Sequence, residues 1–288
     1  MGARQLLGRP ARALLGRLGY GVHRTGAEPP FPPDFTPADI DLVRAVKPYT
    51  LTSRERVVAL RDAVRYVSDT GIEGAIVECG VWRGGSMLVV ARTLVALGDT
   101  TRDLYLYDTF TEMPPPGEED VDLLGTRAAD VYEDALAFDG FANLPVEQVR
   151  ALMESTGYPP DRLHLVAGMV EETIPTVAPD QIALCRLDTD WYASTKHEME
   201  HLAPRVAEDG VLIVDDYGHF QGSRRAVDEY FEGRGAHPLL VRIDWTGRLI
   251  VVTPQLREHL VQPVPSASSR AARHRVAVRA HVNSSDRS

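Results

Sequence analysis

Apolar residues follow two rhythms along this chain. Over residues 38–70, in ADIDLVRAVKPYT and SRERVVALRDAVRYVSDT, they recur at helical spacing and predict one or two helices. Ser53, followed by Arg54–Glu55–Arg56, marks a helix start. From residue 74 the rhythm changes. GAIVECG, DLYLYDTF, RLHLVAG, QIALCRLDTD and GVLIVDDY are short apolar runs and read as strands, whereas SMLVVARTLVAL and residues 194–208 read as helices. Such alternation predicts a parallel, doubly wound sheet covered on both faces. PLLVRIDWTGRLIVVT then breaks it, because two apolar runs flank D-W-T-G, a hairpin pattern.

A mostly parallel α/β sheet that closes with a C-terminal antiparallel hairpin is the strand plan of the Rossmann-like class I methyltransferase fold. The proline-dense PPFPPDFTP at 29–37 reads as a lead-in. Residues 1–33 are therefore assigned to a basic N-terminal arm and linker, 34–262 to one catalytic-sized domain, and 263–288 to a disordered basic tail. Between Thr109 and Asp161 lies a Pro/acidic loop with amphipathic pieces, and a helical lid insertion is expected over about 112–160.

Charge sharpens this picture. The net charge of the 288 residues is -10, yet each end carries about +4, which leaves the body near -18. So acidic a body excludes a nucleic-acid groove and suits a site that gathers cations. Cys79 and Cys185 are too few for a disulfide framework, and a cytoplasmic location is the expectation. No run approaches the roughly 20 apolar residues of an integral membrane segment. The N-terminal segment, broken by Arg and Pro10, reads as a mobile basic arm rather than a signal peptide or a lipid-touching helix. A homo-oligomer stays open.

Two metal signatures compete in RLDTDWYASTKHEMEH (186–201). HEMEH fits H-E-x-x-H. On a helix whose buried stripe is Met199, Leu202, Ala203 and Val206, however, His197 and His201 point away from the core. They share a face with Lys196, Glu200 and Arg205, so zinc chemistry is not expected. Asp188 and Asp190 follow one strand and, if it continues, face the same side. Asp215 and Asp216 end the next strand. One Asp after a strand is usually a cap. Two pairs on neighbouring strands would repel unless compensated, and a hard divalent cation is the economical partner.

GAIVECGVWRGGS is a strand, a glycine loop and a helix start, which lets a ligand approach the backbone. It lacks G-K-[ST], so it is no P-loop. Asp108, 28 residues after Gly80 at the end of the next strand, is placed to bind ribose hydroxyls. The implied ligand is an adenosine without a large polyphosphate, and S-adenosylmethionine fits. Glu78 is expected to steady the loop, to meet the methionine amine, or merely to close the strand.

VECGVWRGGS, LYLYDTFTEMPPP, RLDTDWYAST and VLIVDDYGHFQGSRRAVDEY together resemble the macrocin O-methyltransferase family, over about Asp34 to Thr253. The resemblance implies a Mg²⁺- and S-adenosylmethionine-dependent enzyme that methylates sugar hydroxyls of antibiotics, with a small glycosylated acceptor as partner. It implies Asp188, Asp215 and Asp216 as metal ligands and Asp190 as general base. The cofactor would be met by Thr50 and Leu51 within Tyr49–Thr50–Leu51–Thr52. It would also meet Glu78, Cys79, Gly80, Val81 and Trp82 of the glycine loop, Asp108, Thr109 and Phe110 after the second strand, Gly168 and Met169 at the adenine, and Asp188. Residues 112–145 correspond to the lid over the acceptor. Three alternatives stay open: a metal-dependent catechol or phenol O-methyltransferase, a D-x-D glycosyltransferase using a nucleotide-sugar, and a non-catalytic cofactor-binding scaffold.

Overall fold

The computed structural model describes residues 30–138 and 142–262. The expected basic arm (up to residue 29) and the tail from residue 263 lie outside the described residues.

Two helices lead in, as the spacing predicts: α1 (Pro37–Val46) and α2 (Arg54–Asp69). Thr36 and Asp39 form a reciprocal capping box on α1, and the Ser53 hydroxyl accepts from the Arg56 amide at 3.1 Å to cap α2. The alternating region follows as β1 (Ala75–Cys79), α3 (Gly85–Leu97) and β2 (Leu104–Asp108). Next come α4 (Tyr132–Leu136), α5 (Val146–Glu154), β3 (Leu163–Ala167), α6 (Val170–Thr173) and β4 (Ile182–Leu187). The described residues end with α7 (Tyr192–His201), β5 (Val206–Val214), α8 (Gln221–Arg234), β6 (Val241–Arg242), β7 (Arg248–Val251) and α9 (Pro254–Val261).

The strands form one sheet in the order β3-β2-β1-β4-β5-β7-β6. The first five run parallel; β7 pairs antiparallel with β5, and β6 antiparallel with β7. The D-W-T-G turn is the expected hairpin. Asp244 closes it by accepting the Thr246 and Gly247 amides at 2.9 and 2.8 Å.

Period-two alternation splits the core. Ile76, Leu104, Leu106, Leu184 and Ile213 pack under α1, α2, α3 and α5, while Val77, Tyr107, Cys185, Leu212 and Val214 pack under the helices of the other face. Both faces are covered, which is why the strands read as continuous apolar runs. The switch point lies between β1 and β4, where the chain stops building outward toward β3 and returns.

One boundary differs from the sequence pattern. The helix expected to reach 208 ends at His201, a 3₁₀ turn covers Ala203–Arg205, and β5 already begins at Val206. Pro204 has no amide hydrogen with which to continue the helix. Val206 is therefore a buried strand residue and not the last member of a helical stripe.

Candidate active site

A cavity of about 750 Å³ opens at the carboxyl edge of the sheet, over the switch point. Thr50, Leu51, Gly80, Val81, Trp82, Asp108, Thr109, Phe110, Gly168 and Met169 line it, as do Asp188, Asp190, Asp215 and Asp216. Nearly every residue expected at the site is thus brought to one chamber.

Two are not. Glu78 and Cys79 are buried behind the wall and do not line the cavity. Cys79 faces the core on the side of Val77 and Tyr107, opposite to α1–α3. Glu78 faces the other way, where its register partner on β4 is Arg186. Its Oε1 accepts from that guanidinium at 2.7 Å. Burial pushes the Glu78 carboxyl up to about 8, with Asp188 adding to the rise and Arg186 opposing it.

Gly80 is required by close approach. A Cβ there would lie 2.0 Å from the Asp188 carbonyl oxygen, at φ +83°. The chain of the glycine loop therefore touches the chain of the D-T-D turn, and the Asp188 amide donates to the Cys79 carbonyl at 2.9 Å. Across the loop, Asp108 Oδ2 accepts the Val81 and Trp82 amides at 2.7 and 2.8 Å, and Oδ1 accepts that of Phe110 at 2.7 Å. Asp108 borders the cavity as expected for a ribose ligand, but its carboxylate first braces the loop. That need follows from Trp82 and Phe110, both held at positive φ.

At the other end, Asp188, Asp215 and Asp216 each offer a carboxylate oxygen within 4.8 Å of the others'. Behind them, Glu78 and Arg186 are register partners on β1 and β4, and Asp215 directly follows the last residue of β5. Arg186, buried, donates to Asp188 Oδ2 and Asp215 Oδ1, both at 2.6 Å. Arg56 of α2 reaches Asp215 Oδ2 from above. The repulsion argued from sequence is therefore partly compensated by two guanidinium groups that pattern reading missed. Compensation is incomplete. Burial, with Asp188 alongside, raises the Asp216 pKa, and burial with Asp216 and Asp188 raises that of Asp190.

Asp190 arrives by a different route from the one expected. β4 stops at Leu187 and Asp190 sits at φ +64°, so the D-T-D segment is a turn and the strand parity argument does not apply. The turn is held from below by Glu198, whose Oε1 accepts from the Thr189 hydroxyl at 2.9 Å while the residue is fully buried. Glu198 is the second residue of HEMEH, so this residue of the motif has a structural task. His197 is not free in solvent: its Nε2 lies 2.8 Å from the Ile174 carbonyl, and its ring packs 4.3 Å from that of His201. Neither histidine lines the cavity.

The insertion docks over this end. Asp120, buried, accepts the Tyr192 amide at the start of α7 and the Gly117 amide, each at 2.7 Å. Trp191 donates its indole N–H to the Pro114 carbonyl at 2.8 Å and packs edge-on against Phe220. Among its described residues the insertion is more loop than helix, with α4, α5 and a 3₁₀ turn at Ala128–Asp130 as its helical pieces. Its Asp122 approaches His219, which also borders the cavity. Burial depresses the His219 imidazole to about 4, with Arg56 adding to the fall and Asp122 opposing it.

This strand order, glycine loop and switch-point chamber define a class I methyltransferase. The family model for macrocin O-methyltransferase (TylF) matches residues 41–250, and the chain belongs to that family of O-methyltransferases. A tetracenomycin-pathway relative from Streptomyces olivaceus, named as a 4'-O-methyltransferase of a dimethoxy-rhamnosyl tetracenomycin C, is 34% identical over 199 residues, covering 69% of this chain and 74% of the relative. The demethyldecarbamoylnovobiocin O-methyltransferase of Streptomyces niveus is 29% identical over 199 residues, with the same coverage of 69% and 74%. The solved O-methyltransferase NovP superposes with a TM-score of 0.63 at 28% identity, over 71% of this chain and 82% of that one. Among the described residues, no helix is long and apolar enough to cross a membrane.

Proposed function

We propose that this enzyme transfers the methyl group of S-adenosylmethionine to a sugar hydroxyl of a glycosylated natural product, with Mg²⁺ bound by Asp188, Asp215 and Asp216. The observation that carries the reading is the meeting of those three carboxylates at one end of a chamber whose other end is the glycine loop. The names of the relatives, which act on rhamnosylated tetracenomycin and on a novobiocin precursor, support a sugar over a catechol. Family membership disfavours a nucleotide-sugar glycosyltransferase.

The donor set suits the metal. All three ligands are hard oxygens, and the carboxylates stay under-compensated despite Arg56 and Arg186. Mg²⁺ there would supply Lewis acidity that makes a bound hydroxyl easier to deprotonate. The protein's own residues do the rest. Gly80 and the loop braced by Asp108 admit the adenosine part, with Gly168 and Met169 beside it. Asp190, adjoining Asp216, accepts the proton of the attacking hydroxyl as its oxygen takes the methyl carbon and the carbon–sulfur bond breaks. The docked lid excludes water and orients the acceptor.

The test is incubation with labelled S-adenosylmethionine, Mg²⁺ and a panel of rhamnosylated polyketides, aminocoumarin glycosides and macrolide glycosides, read by mass spectrometry. A mass gain of one methyl group on the sugar is expected. EDTA should abolish it and added Mg²⁺ restore it; an undiminished rate in EDTA would remove the metal from the reading. Methylation of simple catechols but of no glycoside would replace the sugar by a phenol.

A further inference from the structure

His219 has no part in the roles assigned so far, yet it is the polar side chain in this chamber whose bonding is least accounted for. It is 7% exposed, it borders the cavity, and no group among the described residues bonds either ring nitrogen. Leaving a buried donor or acceptor unmade costs about 1–3 kcal/mol, so an imidazole with both nitrogens free needs an explanation. Looseness is not one. The ring is wedged edge-on between Phe220, 4.2 Å between centroids, and Trp245, 5.3 Å. Its amide closes a turn on the Asp216 carbonyl at 2.9 Å, which fixes the backbone relative to the carboxylate cluster. The charged groups that face it are Asp122 from the lid and Arg56 from α2. Both spend their bonds elsewhere. The Asp122 carboxylate accepts the Leu124 and Thr126 amides, and Arg56 is held by Asp215 and Asp244.

We propose that His219 is a specificity-determining residue for the acceptor: its imidazole hydrogen-bonds a sugar oxygen other than the one methylated. An imidazole presents one N–H donor and one lone pair, which matches a hydroxyl able to accept and donate. A buried site built to bond a hydroxyl rejects an analogue lacking it far more strongly than an apolar pocket rejects an extra group. The location fits, because His219 stands three residues from Asp216, at the carboxylate end of the chamber and beneath the lid, away from Gly168 and Met169. This inference rests on the sugar reading of the acceptor given above.

The experiment compares wild type with His219→Phe, which keeps an aromatic ring between Phe220 and Trp245 but bonds nothing, and with His219→Gln, which keeps a donor and an acceptor. The probes are methyl α-L-rhamnopyranoside and its three monodeoxy analogues. Methylation is followed by mass spectrometry, and S-adenosylmethionine binding by calorimetry. In H219F, kcat/KM for the parent sugar should fall about 10- to 100-fold, cofactor affinity should stay within twofold, and H219Q should recover part of the loss. One deoxy analogue should be poor for wild type, yet no worse than the parent for H219F. If H219F ranks parent and deoxy sugars as wild type does, the inference is overturned while the sugar reading stands. If H219F does not fold, the same decision rests on H219Q and the deoxy series with wild type, where no penalty for any single deoxygenation overturns it. Wild type that methylates none of these sugars removes both.

Discussion

Arg186 Nη2 lies 2.6 Å from Asp215 Oδ1, just past the end of the neighbouring strand, and both residues are buried. The same guanidinium serves Glu78 and Asp188, so one cation from β4 joins three strand ends. Removing one member of a buried ionic cluster leaves the others unpaired, which costs about 3–5 kcal/mol. Arg186→Met should therefore destabilise the fold by that amount in urea denaturation. Glu78→Gln on that background should restore part of it, because the buried ionisable group left without its cation is then gone. A double variant no more stable than R186M would mean that Glu78 is not what the arginine compensates.

Asp190→Asn separates chemistry from folding unusually well. Asp190 occupies the left-handed region at φ +64°, which Asn tolerates as readily as Asp. The D-T-D turn should keep its shape, held by Thr189 on Glu198. Loss of a general base typically lowers turnover about 10²- to 10⁴-fold. Calorimetry should show S-adenosylmethionine binding close to wild type while kcat falls within that range. Turnover like that of wild type would eliminate Asp190 as the base.

Gly80→Ala should fail for a reason visible in the backbone. The new methyl would sit 2.0 Å from the Asp188 carbonyl, and positive φ penalises any Cβ. Backbone strain of this kind costs about 1–3 kcal/mol, to which the clash adds. Thermal melts should show the loss, and cofactor affinity should fall with it, because loop and D-T-D turn move apart together. Full affinity in a destabilised G80A would show that the contact serves the fold alone.

The lid makes a different claim. Asp120 ties residues 117–120 to the first amide of α7, and an added Cβ on Gly222 would strike its Oδ1 at 2.1 Å. Asp120→Ala should free the lid without touching the glycine loop. Hydrogen exchange over 112–136 should speed up, and acceptor KM should rise several-fold more than cofactor Kd. Equal effects on both would show that the insertion does not discriminate between acceptor and cofactor.

The alternation of strands and helices, the hairpin and the gathering of four aspartates were legible because each rests on local pattern: apolar runs, D-W-T-G, and acids at strand ends. What was missed depends on pairing between distant segments. Arg56 lies 159 residues from Asp215, and Glu78 lies 108 from Arg186. Register between β1 and β4 could have paired Glu78 with Arg186 once the strand order was assumed. Nothing local could have shown that Asp190 leaves the strand, or that Glu198 of HEMEH turns inward to hold Thr189. His219 sits in the quoted block VDDYGHF, but its unbonded nitrogens become visible only when Phe220, Trp245 and the lid surround it.

The hairpin supplies the pH test. Asp244 Oδ2 accepts from Ser53 Oγ at 2.6 Å and Arg56 Nε at 3.0 Å, and Oδ1 accepts the Thr246 and Gly247 amides. Burial alone would raise its pKa, but the Arg56 charge and these hydrogen bonds outweigh burial and lower it. The sign follows from linkage. A carboxylate with a depressed folded pKa contributes stability that is fully present above its unfolded value of about 3.9 and is lost as pH falls through the folded one. Asp244→Asn cannot titrate, and it forces an amide N–H toward a donor, at a cost of about 1–3 kcal/mol at neutral pH. The stability gap between wild type and D244N should stay level from pH 7 to about 5, then narrow steadily below about pH 4. Urea titrations at several pH values measure that gap directly. A gap that held its neutral value down to pH 3 would mean that Asp244 is not held ionised by Arg56 and the turn, and the link between α2 and the hairpin would have to be sought elsewhere.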